Sequence, residues 1–162
     1  MSRARLAIAA MTLSAAGLVA LVSHEGYTDR AVVPVPGDVP TIGFGTTRRD
    51  DGAPVRMGDS TTPVRALIRA AADVSDAERR LRVCIGDVPM HQHEWDAIVG
   101  WAYNVGTSAA CSSTLVRKLR ARDYAGSCDE LRRWVYVAGR KVRGLEIRRE
   151  RERAHCLGEA SG

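Results

Sequence analysis

The feature that most constrains the fold is an uncharged run of 17 residues, Leu6–Val22, which follows Arg3 and Arg5. Basic residues ahead of an apolar segment are the layout of an export signal. A run of this length lies at the short limit for crossing a bilayer as a helix. Eight of its 17 residues are Ala, Gly or Ser, which dilutes its hydrophobicity. The arginines predict a cytoplasmic N-terminus with the remainder of the chain exported.

Three interpretations of this run are open. The best small-residue cleavage site ends at Ala20, and cleavage there would leave almost no helix ahead of Glu25. A retained run could instead leave the bilayer and fold as the first helix of the domain. We favour retention because it gives Glu25 a helix to hold it. An ordinary cleaved signal and a buried core helix of a cytoplasmic protein are the alternatives.

The cysteines bear on the compartment. They are widely spaced, without the C-x-x-C pattern that zinc or redox sites need, at Cys84, Cys111, Cys128 and Cys156. Their even number fits two structural disulfides formed in an oxidising compartment. Of the three pairings we favour Cys84–Cys111 and Cys128–Cys156, because each would tie the ends of neighbouring helical segments. Four buried free thiols are the alternative.

The charge balance is basic, with 24 Lys and Arg against 19 Asp and Glu, and a net charge of +5. Such an excess favours an anionic partner, although a solvated Arg-rich face explains it equally well. The sequence has no zinc-finger spacing, ribonucleoprotein motif or basic leucine zipper, so we expect no nucleic acid partner. His91, His93 and Glu94 resemble a metal cluster, but "HQH" before a helix lacks a third convergent ligand, and we expect neither a metal nor a cofactor.

Behind the apolar run, "AVVPVPGDVPTIGFG" at 31–45 predicts a short, irregular hairpin with its turn at Pro36–Asp38. Ser60-Thr61-Thr62 before Pro63 predicts the start of a helix that reaches about Cys84. The apolar face of that helix is expected at Leu67, Ile68, Ala71, Val74 and Leu81. The hairpin and this helix, with the helical segments after it, predict an α+β fold.

Further helical segments follow in the second half. His91–Tyr103 carries an amphipathic, central helix that Gly106 terminates, and its apolar face holds Trp95, Ile98, Val99 and Ala102. Ser112 or Ser113 can cap a segment through Leu119, and Asp123 can cap one that runs to about Val135. Gly144–Leu157 predicts a last, Arg-rich helix. We therefore expect a small hairpin lobe beside a larger helical lobe.

Five stretches in order along the chain carry a family resemblance: "EGY" at 25–27, "PTIGFGT" at 40–46, "EWDAIVGWAYNVG" at 94–106, "STLVRKL" at 113–119 and "GLEIRRERE" at 144–152. With them the sequence resembles the phage-type lysozymes of glycoside hydrolase family 24, specifically endolysins with a signal-anchor-release N-terminus. The resemblance implies a release segment at 1–23 and a lysozyme-like catalytic domain at 24–162.

The resemblance also implies an activity and a location. The expected reaction is hydrolysis of the β-1,4 bond between N-acetylmuramic acid and N-acetylglucosamine in peptidoglycan, which causes host cell lysis. The expected partners are peptidoglycan and, transiently, the inner membrane. The chain would act as a monomer in the periplasm without a cofactor. A lytic transglycosylase that uses Glu25 alone and a non-catalytic wall-binding module are the alternatives.

The family pattern implies the catalytic residues. Glu25 matches the glutamic acid that protonates the leaving oxygen, and Thr41 matches a threonine that holds water or lines the sugar face. The family aspartate is missing, because its spacing falls on Pro34 or Val35. We expect Asp38 to replace it, with a plain turn role for Asp38, a role for Asp29, or no second carboxylate as alternatives.

Four further residues are candidates for substrate binding. Gly43 and Gly45 would let the backbone approach the saccharide, or would only relieve steric crowding in the hairpin. Asn104 and Arg148, with Trp134 beside them, are cleft or support residues suggested by the family. We expect two of these last three to have scaffold roles.

Overall fold

The α+β class is confirmed by the computed structural model, which describes residues 4–159. The helices are α1 (Ala15–Glu25), α2 (Pro63–Ile85), α3 (Gln92–Val105), α4 (Thr107–Cys111), α5 (Thr114–Arg120), α6 (Tyr124–Glu130) and α7 (Arg143–Cys156). The strands are β1 (Leu6–Ala7), β2 (Thr28–Val32), β3 (Thr41–Gly43), β4 (Pro89–Met90), β5 (Tyr136–Val137) and β6 (Arg140–Lys141). The antiparallel pairs are β1–β4, β2–β3 and β5–β6.

The chain divides into two compact units. The hairpin unit is Leu18–Asp76, and the helical unit joins the residues up to Gly17 with those from Ala77 onward. The helical unit therefore contains most of the N-terminal run as well as the second half of the chain.

The predicted hairpin is confirmed in the hairpin unit, where β2 pairs with β3. The segment 59–61 extends the sheet on the other edge of β2, because Ala31 N donates to Asp59 O at 3.0 Å and Thr61 N donates to Asp29 O at 2.9 Å. The prolines lie outside both strands, in the connection between them, where a missing N–H interrupts no ladder. A small apolar core lies beneath, formed by Ala31, Ile42 and Val55.

Helix α2 begins where the sequence predicts, with Arg65 N donating to the Thr62 hydroxyl at 3.4 Å. The predicted apolar face is wrong in its first half, because Leu67 and Ile68 are 44% and 66% exposed and Ala71 is exposed too. The buried face is instead Ala66, Ala70, Val74, Ala77 and Leu81. At Ala66 the backbone of the hairpin approaches the helix closely: a Cβ on Gly43 would lie 2.8 Å from Ala66 Cβ.

The N-terminal run forms several elements rather than one continuous helix. Strand β1 is followed by a 3₁₀ turn at Ile8–Ala10, and α1 begins only at Ala15. Ser14 starts the helix by accepting from Gly17 N at 3.0 Å. The prediction that Glu25 ends the first helix is confirmed. Among residues 4–159, no helix combines the length and the apolar character that a membrane span requires.

The predicted central helix is confirmed by α3, whose residues Trp95, Ile98, Val99 and Ala102 are fully buried. Gly106 ends it with φ of 88°. Ser113, not Ser112, caps α5, and Asp123 caps α6. The predicted extent of α6 is too long, because a 3₁₀ turn follows Glu130 and the β5–β6 hairpin comes next. That hairpin and α4 were not predicted.

The favoured disulfide pairing is confirmed. Cys84–Cys111 links α2 to α4, and Cys128–Cys156 links α6 to α7. The described residues contain no free cysteine. Both bonds lie in the helical unit.

Candidate active site

Glu25 lies at the C-terminal end of α1 and is half-buried. Gly26, with φ of +70°, takes the left-handed conformation that ends the helix and turns the chain into β2. Tyr27 then packs on Phe44, with ring centroids 5.5 Å apart. The residues that follow Glu25 are thus held against the turn after β3.

That turn brings the backbone to the Glu25 carboxylate. Ile42 and Thr46 exchange backbone hydrogen bonds of 3.0 and 3.1 Å, which closes the loop Gly43-Phe44-Gly45. A Cβ on Gly45 would lie 3.7 Å from Glu25 Oε2. The two motifs "EGY" and "TIGFG" therefore meet at one place, with the carboxylate beside a residue that has no side chain.

The two glycines of this turn have different surroundings. Gly43, with φ of +64°, is pressed against Ala66 of α2, where a side chain has no room. Gly45, with φ of +83°, is exposed and has only the Glu25 carboxylate near it. These contacts favour relief of steric crowding as the role of Gly43. They favour close approach of a ligand as the role of Gly45.

Thr46 fixes the turn, and the sequence interpretation gave it no role. Its hydroxyl donates a short hydrogen bond to Asp73 Oδ2. Asp73 in turn accepts from Arg69 at 3.0 Å, one turn away on α2. Thr46 is buried, so this bond fastens the end of "PTIGFGT" to the helix. A polar residue that ends a motif and faces a helix carboxylate could have been found only with the fold in hand.

Thr41 is the first residue of β3 and pairs with Val32 across the hairpin. Its hydroxyl donates to the Val32 carbonyl at 3.5 Å, well beyond the usual O–H···O distance of about 2.7–2.8 Å. Thr41 is half-buried. Its hydroxyl is therefore only weakly held by the protein at this contact.

Asp38 lies in the exposed connection between β2 and β3. Its backbone N–H donates to Val35 O at 3.0 Å, and its carboxylate accepts from Val39 N at 2.8 Å. Both contacts are ordinary turn chemistry. Asp29, the other candidate carboxylate, is exposed on β2.

The candidates in the helical unit gather around Arg149, a residue that the sequence interpretation missed. Its side chain is 1% exposed and donates to Asn104 Oδ1, to the Trp134 carbonyl at 3.1 Å and to Glu152 at 2.5 Å. The Trp134 ring meets Trp101 edge-on at 5.1 Å. These contacts favour scaffold roles for Asn104 and Trp134. Arg148 pairs with Glu152 at 2.9 Å.

The histidine-rich stretch before α3 has structural contacts. His91 is the N-cap residue of the helix, and its backbone N–H donates to the Glu94 carboxylate at 2.7 Å. Glu94 also accepts two hydrogen bonds from Arg5, at 2.7 and 3.1 Å. His93 Nδ1 lies 3.1 Å from the Cys156 carbonyl. In the described part of the chain, no group of three His, Cys, Asp or Glu side chains is placed to hold a metal ion.

Sequence comparison gives relatives along most of the chain. The family profile described as Phage lysozyme matches residues 22–152. The SAR-endolysin of Enterobacteria phage P21 is 34% identical over 118 residues, which are 72% of this chain and 68% of that protein. The endolysin of Salmonella phage P22 is 32% identical over 147 residues, which are 91% of this chain and 99% of that protein.

Solved structures agree with these relatives. An endolysin from Escherichia coli O157:H7 phage FAHEc1 superposes with a TM-score of 0.80 at 34% identity, covering 94% of this chain and 98% of that one. A mutant of P22 lysozyme gives 0.75 at 31% identity, covering 91% and 99%. The fold is thus that of the phage endolysins. With the profile match over residues 22–152, the chain belongs to the phage lysozyme family.

Proposed function

We propose that this chain is an exported, monomeric endolysin that hydrolyses the β-1,4 bond between N-acetylmuramic acid and N-acetylglucosamine in peptidoglycan. The observation that carries the proposal is the Glu25 carboxylate, held at the end of α1 beside the Gly45 turn. A glycoside hydrolase needs a carboxylic acid at a place where the backbone admits a sugar. The names endolysin and lysozyme among its relatives support the same chemistry.

In the proposed reaction, Glu25 acts as general acid. Its proton passes to the glycosidic oxygen as the bond from that oxygen to C1 breaks, and positive charge develops on the sugar. A water then adds to C1 and its proton leaves to a carboxylate. Thr41 orients that water through its weakly held hydroxyl, and Asp38 supplies the carboxylate. Gly43 and Gly45 shape the turn at which the saccharide lies.

Glu25→Gln tests this assignment, because it keeps the shape of the side chain and removes the acidic proton. We expect the rate of clearing of purified cell walls to fall by at least about 100-fold, with the melting temperature unchanged. Glu146→Gln is the matched control, since it removes only an exposed pair with Lys141. Normal clearing by Glu25→Gln would overturn the assignment.

Asp38→Asn and Asp29→Asn distinguish the two candidates for the second carboxylate. Both are exposed residues of the same unit, so neither substitution disturbs packing. We expect Asp38→Asn to lower the rate severely and Asp29→Asn to have little effect. The opposite order would transfer the role to Asp29.

A lytic transglycosylase is the second candidate, favoured by the turn contacts of Asp38. Without a second carboxylate, the hydroxyl of the substrate itself would attack C1 and give an anhydro sugar. Mass analysis of the digestion products separates the two reactions, because hydrolysis leaves a reducing end instead. A wall-binding module without activity would bind cell walls tightly but would not clear purified cell walls or lyse cells.

We further propose that the segment 1–23 first tethers the protein to the inner membrane, facing the periplasm, and later joins the domain 24–162. Relatives named SAR-endolysins support this location. The polar contacts of the segment within the helical unit also support it. Ser14 N and Oγ donate to Asp96 at 2.9 and 2.5 Å, and Leu13 N donates to Glu78 at 2.6 Å.

The other contacts of the segment fit the same proposal. Arg82 donates to the carbonyls of Ile8 and Met11 at 3.1 and 2.5 Å, and Ile8 and Met11 are buried. Mass measurement of the protein recovered from the periplasm tests retention. We expect an intact N-terminus, whereas a mature chain that starts at Leu21 would refute it.

A further inference from the structure

A basic cleft in the hairpin unit lies apart from the three residues proposed above to act on the glycosidic bond and the water. It encloses about 130 Å³ next to the turn after β3, and Gly43, Thr46 and Ala66 are among its lining residues. Its charged lining consists of Arg48, Arg49, Arg65 and Arg69 against Asp50 and Asp59. Glu25, Asp38 and Thr41 do not line it. The excess of guanidinium groups favours an anionic ligand.

Two of these arginines have a buried donor that the protein leaves without a partner. Within the described residues, the buried side-chain nitrogens that lack a hydrogen bond include Arg49 Nε and Arg69 Nε. Buried polar groups are nearly always paired, so each exception calls for an explanation such as a bound ligand. Here two exceptions line one small cleft.

The existing ion pairs do not use these donors. Arg69 reaches Asp73 through Nη2 at 3.0 Å, and Arg49 reaches Asp51 and Asp59 through its terminal nitrogens at 3.5 and 3.9 Å. The distances at Arg49 are long, so this guanidinium is held loosely. Nε and Nη2 lie on one edge of an arginine and match the two oxygens of a carboxylate. On both arginines Nε has no partner, whereas Nη2 is shared with Asp73 on Arg69 and with Asp51 on Arg49.

We propose that this cleft binds a carboxylate of the peptide stems of peptidoglycan, through Arg49 and Arg69. The proposal rests on the proposed function and specifies which part of the wall polymer the hairpin unit recognises outside the scissile bond. A singly charged carboxylate fits better than a phosphate dianion, because Asp50 and Asp59 at the same cleft would repel the second charge. The small volume suits one amino-acid carboxylate.

The test compares two substrates: intact peptidoglycan, and the same glycan strands after an amidase has removed the peptides, which leaves a lactyl carboxylate on the sugar in place of each stem. The variant is Arg49→Met, which keeps the apolar stem of the side chain. Arg56→Met is the control, as an exposed arginine of the same unit that does not line the cleft. We expect Arg49→Met to raise KM for intact peptidoglycan about tenfold, leaving kcat unchanged.

On the stem-free strands, Arg49→Met should match wild type, and Arg56→Met should match it on both substrates. An equal rise in the KM of Arg49→Met on both substrates, or no rise on either, would overturn the proposal. Failure of the proposed function is distinct, since wild type would then cleave neither substrate.

A direct binding measurement tests the cleft even if the protein cleaves neither substrate. The Glu25→Gln protein is titrated with a free muramyl tripeptide and with inorganic phosphate, and amide shifts are followed by NMR. Shifts at Arg49 and Arg69 with the peptide, lost in Glu25→Gln/Arg49→Met, support the proposal. No peptide binding, or tighter binding of phosphate, would overturn it.

Discussion

At the scale of the residue, the two glycines beside Glu25 show how a motif of identical letters has two physical purposes. Both have positive φ, at +64° for Gly43 and +83° for Gly45. A Cβ atom added at Gly43 would collide with Ala66, whereas a Cβ added at Gly45 would meet only the carboxylate of Glu25, at ordinary contact distance. These surroundings favour packing as the requirement at Gly43 and, under the proposed mechanism, open space beside Glu25 as the requirement at Gly45.

Alanine substitutions separate these purposes. We expect Gly43→Ala to destabilise the protein by about 2–4 kcal/mol, because strain in the backbone adds to overpacking against α2. Gly45→Ala should cost only about 1–2 kcal/mol from the backbone and should lower the clearing rate in folded protein. Urea denaturation and wall-clearing assays measure both effects. A larger loss of stability at Gly45 than at Gly43 would contradict this account.

Arg149 is the residue whose removal we expect to be most costly. It is buried and joins Asn104, the Trp134 carbonyl and Glu152. Arg149→Met fills similar space but takes the buried donor away from Asn104 and the Trp134 carbonyl and leaves Glu152 with Arg148 alone, which costs about 3–5 kcal/mol. Denaturant unfolding measures the loss. The exposed neighbour Arg151→Met is the control and should change stability by less than about 0.5 kcal/mol.

At the scale of the element, α2 illustrates how a helix can bury its smaller residues. Ile68 is 66% exposed although Leu81 on the same helix is fully buried. We therefore expect Ile68→Ser to change stability by less than about 0.5 kcal/mol. Leu81→Ala should cost about 2–5 kcal/mol through the lost contacts and the cavity. Thermal unfolding of the two variants checks this, and equal losses would contradict the assigned face.

The junction of α5 and α6 makes stability depend on acid. Lys118 Nζ donates to Glu130 at 2.7 Å and Arg133 adds a contact at 3.3 Å. The hydrogen bond from Lys118, aided by the positive charges of Lys118 and Arg133, lowers the pKa of Glu130 from its ordinary value of 4.5. The folded state therefore binds this proton less readily than the unfolded chain does. The resulting stability is fully present above the ordinary pKa and is lost as the pH falls through the lower, folded one.

Glu130→Gln should thus be less stable than wild type at pH 7, because the side chain can no longer be charged beside Lys118. The difference should shrink as the pH falls below the ordinary value of 4.5. Unfolding free energies measured from pH 7 downward test the sign. A difference that grows in acid would refute the assigned cause.

At the scale of the whole molecule, the two disulfides close loops of 27 and 28 residues in the helical unit. Cross-links of this span restrict the unfolded chain and typically contribute about 2–4 kcal/mol each. We expect a reductant to lower the melting temperature clearly. In the variant Cys84→Ser/Cys111→Ser, the reductant should lower the melting temperature by only about half as much as in wild type. An unchanged melting temperature of the wild type under reduction would contradict a stabilising role for the disulfides.

Features that local chemistry controls could be predicted from the amino-acid sequence. The cap at Thr62, the terminator Gly106 and the buried face of α3 follow from side chains and spacing within one element. The position of Glu25 at a helix end followed in the same way, because an apolar run stops there. The short β5–β6 hairpin escaped prediction because its strands have only two residues each.

Other features depend on contacts between distant parts of the chain and could not be predicted in this way. The N-terminal run breaks at Ser14 because Asp96 and Arg82, far along the chain, bind its backbone. The buried face of α2 includes Ala66, which Gly43 approaches closely. Periodicity reports how apolar each face is. It does not report which neighbour leaves room for a side chain, and packing against that neighbour sets burial.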